Sequence, residues 1–265
     1  MTNNYFENKK DKIHISNLKI YLNRMQKSVM DKMFFIDKVF EPFEIIVDFG
    51  CANGELFKAI QALFDDEYKY YGYDISGEMI RAAKDNVPQA TFVSDWDSLR
   101  IDPSKSLLNI SSTIHEVYSY CNQPDIECFW RRVFNSGFKY VTIRDMMVSD
   151  STSTAANTED LKKLYANVRY SKHLKDYESV WGKVKSEKEL VHYLLKYSYT
   201  ENWEREVREN YLALTLEEFK KRIPESYQVT YFDHFTLPYI AWQIKNEFGI
   251  DFKTPTHLKI ILKKI

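Results

Sequence analysis

The sequence predicts an α/β fold built on a mostly parallel sheet with helices on both faces. Three observations carry this. From Glu44 to Ile143, short β-rich apolar runs alternate with segments of helical periodicity, the mark of βαβ units. The first run, Ile45-Ile46-Val47-Asp48-Phe49, opens into Gly50-Cys51-Ala52-Asn53-Gly54, which reads as a strand, a tight glycine turn and a helix start. At Ser149-Asp150-Ser151-Thr152-Ser153-Thr154 the alternation stops, and a helical stretch runs on to Pro224 before strand pattern returns.

The elements follow in order. Met1 to Asp11 is polar and charged and reads as a loose tail. From Ile13 to Val39, Leu18, Tyr21, Leu22, Met25, Val29, Met33 and Ile36 recur at helical spacing, predicting one or two helices that Pro42 ends. Strand Glu44–Phe49 leads to helix Gly54–Phe64, and strand Tyr68–Tyr73 to helix Gly77–Asn86, with Ser76 at its N-cap. Strand Ala90–Ser94 precedes a loop. Strand Ser106–Ser111 leads to a helical stretch and to helix Ile126–Asn135, and strand Phe138–Ile143 is fifth. Within the later helical stretch, Ser186-Glu187-Lys188-Glu189 and Thr215-Leu216-Glu217-Glu218 fit the capping box. Strand Tyr227–Phe235, helix Tyr239–Phe248 and strand His257–Ile265 close the chain. The expected division is an N-terminal tail and helices at 1–43, an α/β domain at 44–148 and 225–265, and a helical insertion at 149–224.

Composition narrows the function. A content of 44% hydrophobic and 28% charged residues is that of a globular protein with a sizeable core. The net charge of -1 supplies no overall field to attract nucleic acid. Cys51, Cys121 and Cys128 have no metal-ligand spacing, so no metal is expected, and their odd number suits a reducing, cytoplasmic setting. No secretory signal and no membrane-spanning run is visible.

In an open parallel sheet, ligands bind beyond the C-terminal strand ends, so the residues just past each strand carry the chemistry. Gly50 permits a sharp turn and Gly54 starts the helix. Position 52 is Ala, which weakens a dinucleotide fingerprint, and a Gly-Lys-Ser/Thr phosphate loop is absent. Asp48 is placed to bond loop amides or a ligand amine. After the second strand, Asp74 suits the ribose hydroxyls. After the third, Asp95 suits an adenine amino group, or a capping role, with Trp96 beside the base.

Together these landmarks resemble the class I, Rossmann-like S-adenosylmethionine-dependent methyltransferases, over residues 44–145 and in outline over 225–265. Val47-Asp48-Phe49-Gly50-Cys51-Ala52-Asn53-Gly54 is similar to the family's first motif, Tyr73-Asp74-Ile75-Ser76 to its second, Ser94-Asp95-Trp96 to its adenine site, and Ser111-Ser112-Thr113-Ile114-His115-Glu116 to the segment after its fourth strand. The resemblance implies a sheet of order 3-2-1-4-5-7-6 with an antiparallel last strand. It implies S-adenosylmethionine as cofactor and S-adenosylhomocysteine as product. The cofactor residues expected are Asp48, Gly50, Cys51, Gly54, Asp74, Ile75, Met79, Asp95, Trp96 and Ser111. Cys51 itself reads as a small loop residue without chemistry of its own.

Methyl transfer from a sulfonium is an in-line displacement, and a base is needed only where the acceptor must lose a proton. His115 stands where such a base, or a group orienting the acceptor, would stand, with Glu116 holding it or the acceptor. Tyr118 and Arg144 are candidates for binding the acceptor. Arg144 suits a carboxylate or phosphate, or an ion pair that anchors the insertion. The insertion reads as a lid over the strand ends. Its dense aromatics (Tyr165, Tyr170, Trp181, Tyr193, Tyr197, Tyr199, Trp203, Tyr211) read either as a stacking surface or as its own core. From the N-terminal helices, Tyr21, Met25 and Lys32 are candidates to close over the cofactor. The expected activity is methyl transfer to a small-molecule acceptor. The rival readings are an RNA or nucleotide methyltransferase, a non-catalytic S-adenosylmethionine-binding protein and, least favoured, a nicotinamide-dependent oxidoreductase.

Overall fold

The computed structural model describes residues 28–64 and 67–265. The expected helical segment before residue 28, with Tyr21 and Met25, lies outside them. The first described helix is α1, Val29–Lys32. The α/β part then runs β1 Ile45–Phe49, α2 Glu55–Phe64, β2 Lys69–Tyr73, α3 Gly77–Asn86, β3 Thr91–Val93, β4 Ser106–Ser111, α4 Ile114–Tyr120, α5 Gln123–Asn135 and β5 Tyr140–Met146. The helical part comprises α6 Thr158–Ala166, α7 Ser171–Trp181, α8 Glu187–Leu194, α9 Trp203–Glu206 and α10 Leu216–Lys220. β6 Tyr227–Phe235, α11 Pro238–Phe248 and β7 His257–Lys264 complete it. Among the described residues, no helix is long and apolar enough to cross a membrane.

The sheet has the order β3-β2-β1-β4-β5-β7-β6. β1 is parallel to β2 and to β4, β2 to β3, and β4 to β5. β7 is antiparallel: Lys264 N–H donates to Lys139 O beside the start of β5, and Met147 N–H after β5 donates to Thr256 O before β7. Both the order and the reversed last strand are those expected. Every residue of β1 and β4 is buried, as central strands covered on both faces must be. Their register sets Asp48 beside Asn109, and Asn109 beside Thr142.

Two compact units emerge. One comprises the described residues up to Asp145 with Ile223–Asp233 and Lys259–Ile265; the other comprises Met146–Arg222 and His234–Leu258. The core of the first includes Phe35 after α1, Ile46, Phe57, Ile60, Ile80, Ala83, Leu107 and Ile261. Aromatic rings also meet at the strand ends: Phe49 stands 4.8 Å from Tyr73, 5.1 Å from Trp96 and 5.3 Å from Phe129, centroid to centroid.

The second unit is larger than the expected insertion because α11 belongs to its core. Ile244, Phe248, Ile250 and Phe252 cluster with Tyr170, Tyr193 and Tyr197. The Phe248 ring lies 4.8 Å from Tyr197 and 5.6 Å from Tyr170. Of the aromatics expected either to stack on an acceptor or to form a core, Tyr170, Tyr193, Tyr197, Trp203 and Tyr211 are buried in this cluster, and Trp181 and Tyr199 pack on it; Tyr165 is exposed. Both capping boxes are present, at Ser186 and Thr215. A buried polar group lies among these rings. The Lys196 ammonium donates to Glu209 O at 2.5 Å and sits 4.5 Å from the Tyr211 ring centre. Burial lowers Lys196 to about 7, against the pull of Glu209 and Glu206.

Candidate functional site

The site is built on the turn after β1. Gly50, Ala52 and Gly54 all take left-handed backbone, with φ of 82°, 44° and 77°. The turn thus folds back over the strand end, and the amides of Gly50 and Cys51 both donate to Tyr73 O at the end of β2, at 2.8 and 3.0 Å. Gly50 also lies hard against the segment after β4. A Cβ there would come within 2.5 Å of Thr113 Oγ1, and that hydroxyl donates to Phe49 O at 3.2 Å. Cys51 is buried, and burial together with the Asp74 and Asp48 charges pushes its thiol up, so it is a packing residue of the turn and not a nucleophile.

Asp48 ends a polar ladder that crosses three strands. Asn109 Nδ2 donates to Asp48 Oδ1 at 2.7 Å, and Asn109 Oδ1 accepts from Thr142 Oγ1 and from Ser111 Oγ, both at 3.1 Å. Burial pushes Asp48 up to about 6, while the Asn109 bond and the Lys32 charge pull it down. Asp74 is tied to the turn itself. Its Oδ2 accepts from Ala52 N at 2.9 Å and its Oδ1 from Ser76 N at 2.8 Å. Burial raises Asp74 to about 6 as well, opposed by those two amides. An ionised carboxylate has about four acceptor positions, so two remain for hydroxyls. Ser76 caps α3 by accepting from Met79 N at 3.3 Å, with Met79 buried and Ile75 half-buried.

A small cleft opens at this place, lined by Val29, Lys32, Asp48, Gly50, Cys51, Glu55, Leu56 and Ser111. It joins α1, β1, the glycine turn, α2 and the end of β4. Of the other residues expected at the cofactor, Gly54, Asp74, Ile75, Met79, Asp95 and Trp96 are not among its lining residues. Asp95 is exposed and caps a short turn by accepting from Asp97 N at 3.1 Å, while Trp96 packs against Phe49 and Tyr73.

Beyond β4 the chain makes a second strained turn, with Ser112 at φ 56°. Asp145 organises the segment after that turn. Its Oδ2 accepts from Thr113 N at 2.9 Å and Ile114 N at 2.7 Å, capping α4, and its Oδ1 meets His115 Nδ1 at 2.7 Å. Asp145 is thus the group oriented against His115 Nδ1; Glu116, expected to hold His115 or the acceptor, is half-buried, with a carboxylate oxygen within 4.8 Å of a His115 ring nitrogen. Tyr118 OH accepts from Trp130 Nε1 at 3.0 Å. Arg144 forms an ion pair, but with α1: its Nε donates to Asp31 Oδ2 at 2.8 Å and its Nη1 to Ser112 Oγ at 2.9 Å. Asn109 was missed in the sequence, and Thr113 and Asp145 were given no role there. A polar Asn109 inside the apolar run Leu107-Leu108-Asn109-Ile110 was the available signal.

Comparison with known proteins agrees with this geometry. A family model described as a methyltransferase domain matches residues 46–136. By fold, the chain is similar to the plantazolicin methyltransferase BamL, crystallised with a triazolic desmethylPZN analog and SAH: 14% identity over 98% of this chain and 95% of that one, TM-score 0.50. It is also similar to a chain of the Haloferax volcanii complex between the Trm112 methyltransferase activator and a putative methyltransferase: 10% identity over 98% and 97%, TM-score 0.50. The comparison with curated proteins finds no match. The family match and the strand order together make residues 46–136 a methyltransferase domain of the class I, Rossmann-like, S-adenosylmethionine-dependent type.

Proposed function

We propose that this chain moves the methyl group of S-adenosylmethionine directly to a small-molecule acceptor, with His115 taking the proton that the acceptor gives up. The observation behind this is the 2.7 Å pair between His115 Nδ1 and Asp145 Oδ1 on the rim after β4. The donor set of the cleft suits the cofactor. Its lining carries both signs of charge, the acids Asp48 and Glu55 and the base Lys32, for a ligand end that carries both charges. Asp74 has acceptor positions left for ribose hydroxyls, and the glycine turn lets a ligand approach backbone.

When bound, the cofactor supplies a methyl group on a sulfonium, ready for in-line displacement. The protein's part is to position and to manage one proton. Asp145 draws the imidazole proton to Nδ1, which leaves the lone pair on Nε2. Nε2 is then the atom that accepts from a hydroxyl or similar acceptor, and the Asp145 carboxylate steadies the imidazolium that forms. The net charge of -1 favours a compact acceptor over a polyanion.

The test is label transfer from methyl-tritiated S-adenosylmethionine into the low-molecular-mass and RNA fractions of a cell extract, assayed separately. Label among small molecules is expected. Nuclease-sensitive label on RNA would move the assignment to the RNA reading, and cofactor binding with label in neither fraction would support the non-catalytic one. With the acceptor in hand, His115→Ala should lower kcat by about 10²–10⁴-fold and leave S-adenosylhomocysteine affinity unchanged. Full turnover in that variant removes the base role.

A further inference from the structure

Ala52 is the strained residue of the turn after β1. It is not a glycine, yet its φ is 44°, where a Cβ crowds the following carbonyl, and it is buried. Such a backbone persists only where the surroundings impose it. Here the chain is held on both sides of the strained residue. On the N-terminal side, Asp74 Oδ2 accepts from Ala52 N at 2.9 Å. On the C-terminal side, Asn86 Nδ2 donates to Asn53 O at 3.1 Å. Asn86 is the last residue of α3, and its amide is occupied on every side. Nδ2 also donates to Glu55 Oε1 at 3.0 Å, an oxygen that accepts from Asn53 Nδ2 at 3.2 Å as well, and Asn86 Oδ1 accepts from Lys58 Nζ at 2.9 Å. One amide therefore ties the turn, the start of α2 and the end of α3. The next residue packs at the same place: a Cβ at Gly54 would come within 3.4 Å of Val87 Cγ2.

We propose that Asn86 is a positioning residue for cofactor binding, holding the Asn53 carbonyl so that Ala52 stays left-handed and the turn keeps the shape the cofactor meets; this rests on the cofactor assigned above. Asn86 does not line the cleft, so it acts through the turn. Without its two N–H donors, the strain at Ala52 is opposed from one side only, and the turn relaxes away from the strand ends. Glycine at position 52 takes the left-handed backbone without that strain, so the turn would then keep its shape with the clamp removed.

The experiment is a double-mutant cycle, read by calorimetric titration of S-adenosylhomocysteine. Asn86→Ala should weaken binding by about tenfold. Asn86→Asp, which keeps the shape and loses the donors, should weaken it at least as much. In the Ala52→Gly background, Asn86→Ala should cost less than about twofold. Equal weakening in both backgrounds would show that Asn86 only supports the end of α3 and would overturn the inference, as would undiminished binding in Asn86→Ala or in Asn86→Asp. A wild type that binds no S-adenosylhomocysteine overturns the cofactor assignment itself, a different result from any of these.

Discussion

At the scale of single residues, the site is governed by carboxylates taken out of water. Asp48 and Asp74 each rise from the ordinary value of 3.8 to about 6, chiefly through burial. The raised values fix the sign of the linkage. Between 3.8 and about 6 the folded protein retains protons that the unfolded chain has released, so these groups reduce stability as pH rises through that window, and the reduction is constant above it. A ligand amine at Asp48 and ribose hydroxyls at Asp74, the contacts proposed for the cofactor, would favour the ionised forms. S-adenosylhomocysteine should therefore bind with full affinity above about pH 6 and weaken by about tenfold per pH unit or more below it, one proton for each acid that must ionise. Calorimetry from about pH 5 to 8 reads this directly, and Asp48→Asn should flatten part of the slope. Affinity that does not change across that range would mean that neither acid meets the ligand.

At the scale of elements, close backbone approach sets the geometry. The turn after β1 fits over β2 only because the strand below it presents Gly72. A Cβ at that position would collide with the Phe92 ring and come within 2.8 Å of Cys51 Sγ. The strand, the turn and β3 therefore pack through one missing side chain. Gly72→Ala should cost about 1–3 kcal/mol by overpacking, seen as a lower denaturant midpoint, and should also weaken cofactor binding because the turn that carries Gly50 is displaced. An unchanged midpoint would show that Phe92 shifts without cost. The rim after β4 obeys the same logic with polar groups: Asp145 at the end of β5 caps α4 and holds His115 with one carboxylate.

At the scale of the whole molecule, the two units are interleaved in sequence. The chain passes from one to the other at 145–146, 222–223, 233–234 and 258–259. The helical unit is consequently not one excisable segment. Deleting 149–224 removes Tyr170, Tyr193 and Tyr197 but leaves Ile244, Phe248, Ile250 and Phe252, which pack on them. Each such side chain is worth about 1.5–3 kcal/mol of burial, and their exposure together makes a patch that associates. The deletion variant should lose soluble yield and bind a hydrophobic dye strongly. A monodisperse variant with native near-ultraviolet circular dichroism would show that α11 finds other cover.

The sequence by itself determined the strands and most helices, because these rest on local signals: apolar runs, period, glycine turns and capping boxes; the sheet order came from the resemblance of its motifs to a known family. β4, β6 and α3 keep the bounds read from it, and Gly50, Asp48 and Asp74 stand where strand ends place them. Tertiary structure decided what depends on residues distant in the chain. Asp145 meets His115 Nδ1 because β5 lies next to β4. Arg144 pairs with Asp31 because α1 reaches the same strand ends. Asn109 meets Asp48 through sheet register, and α11 joins the helical unit through a face that only packing reveals.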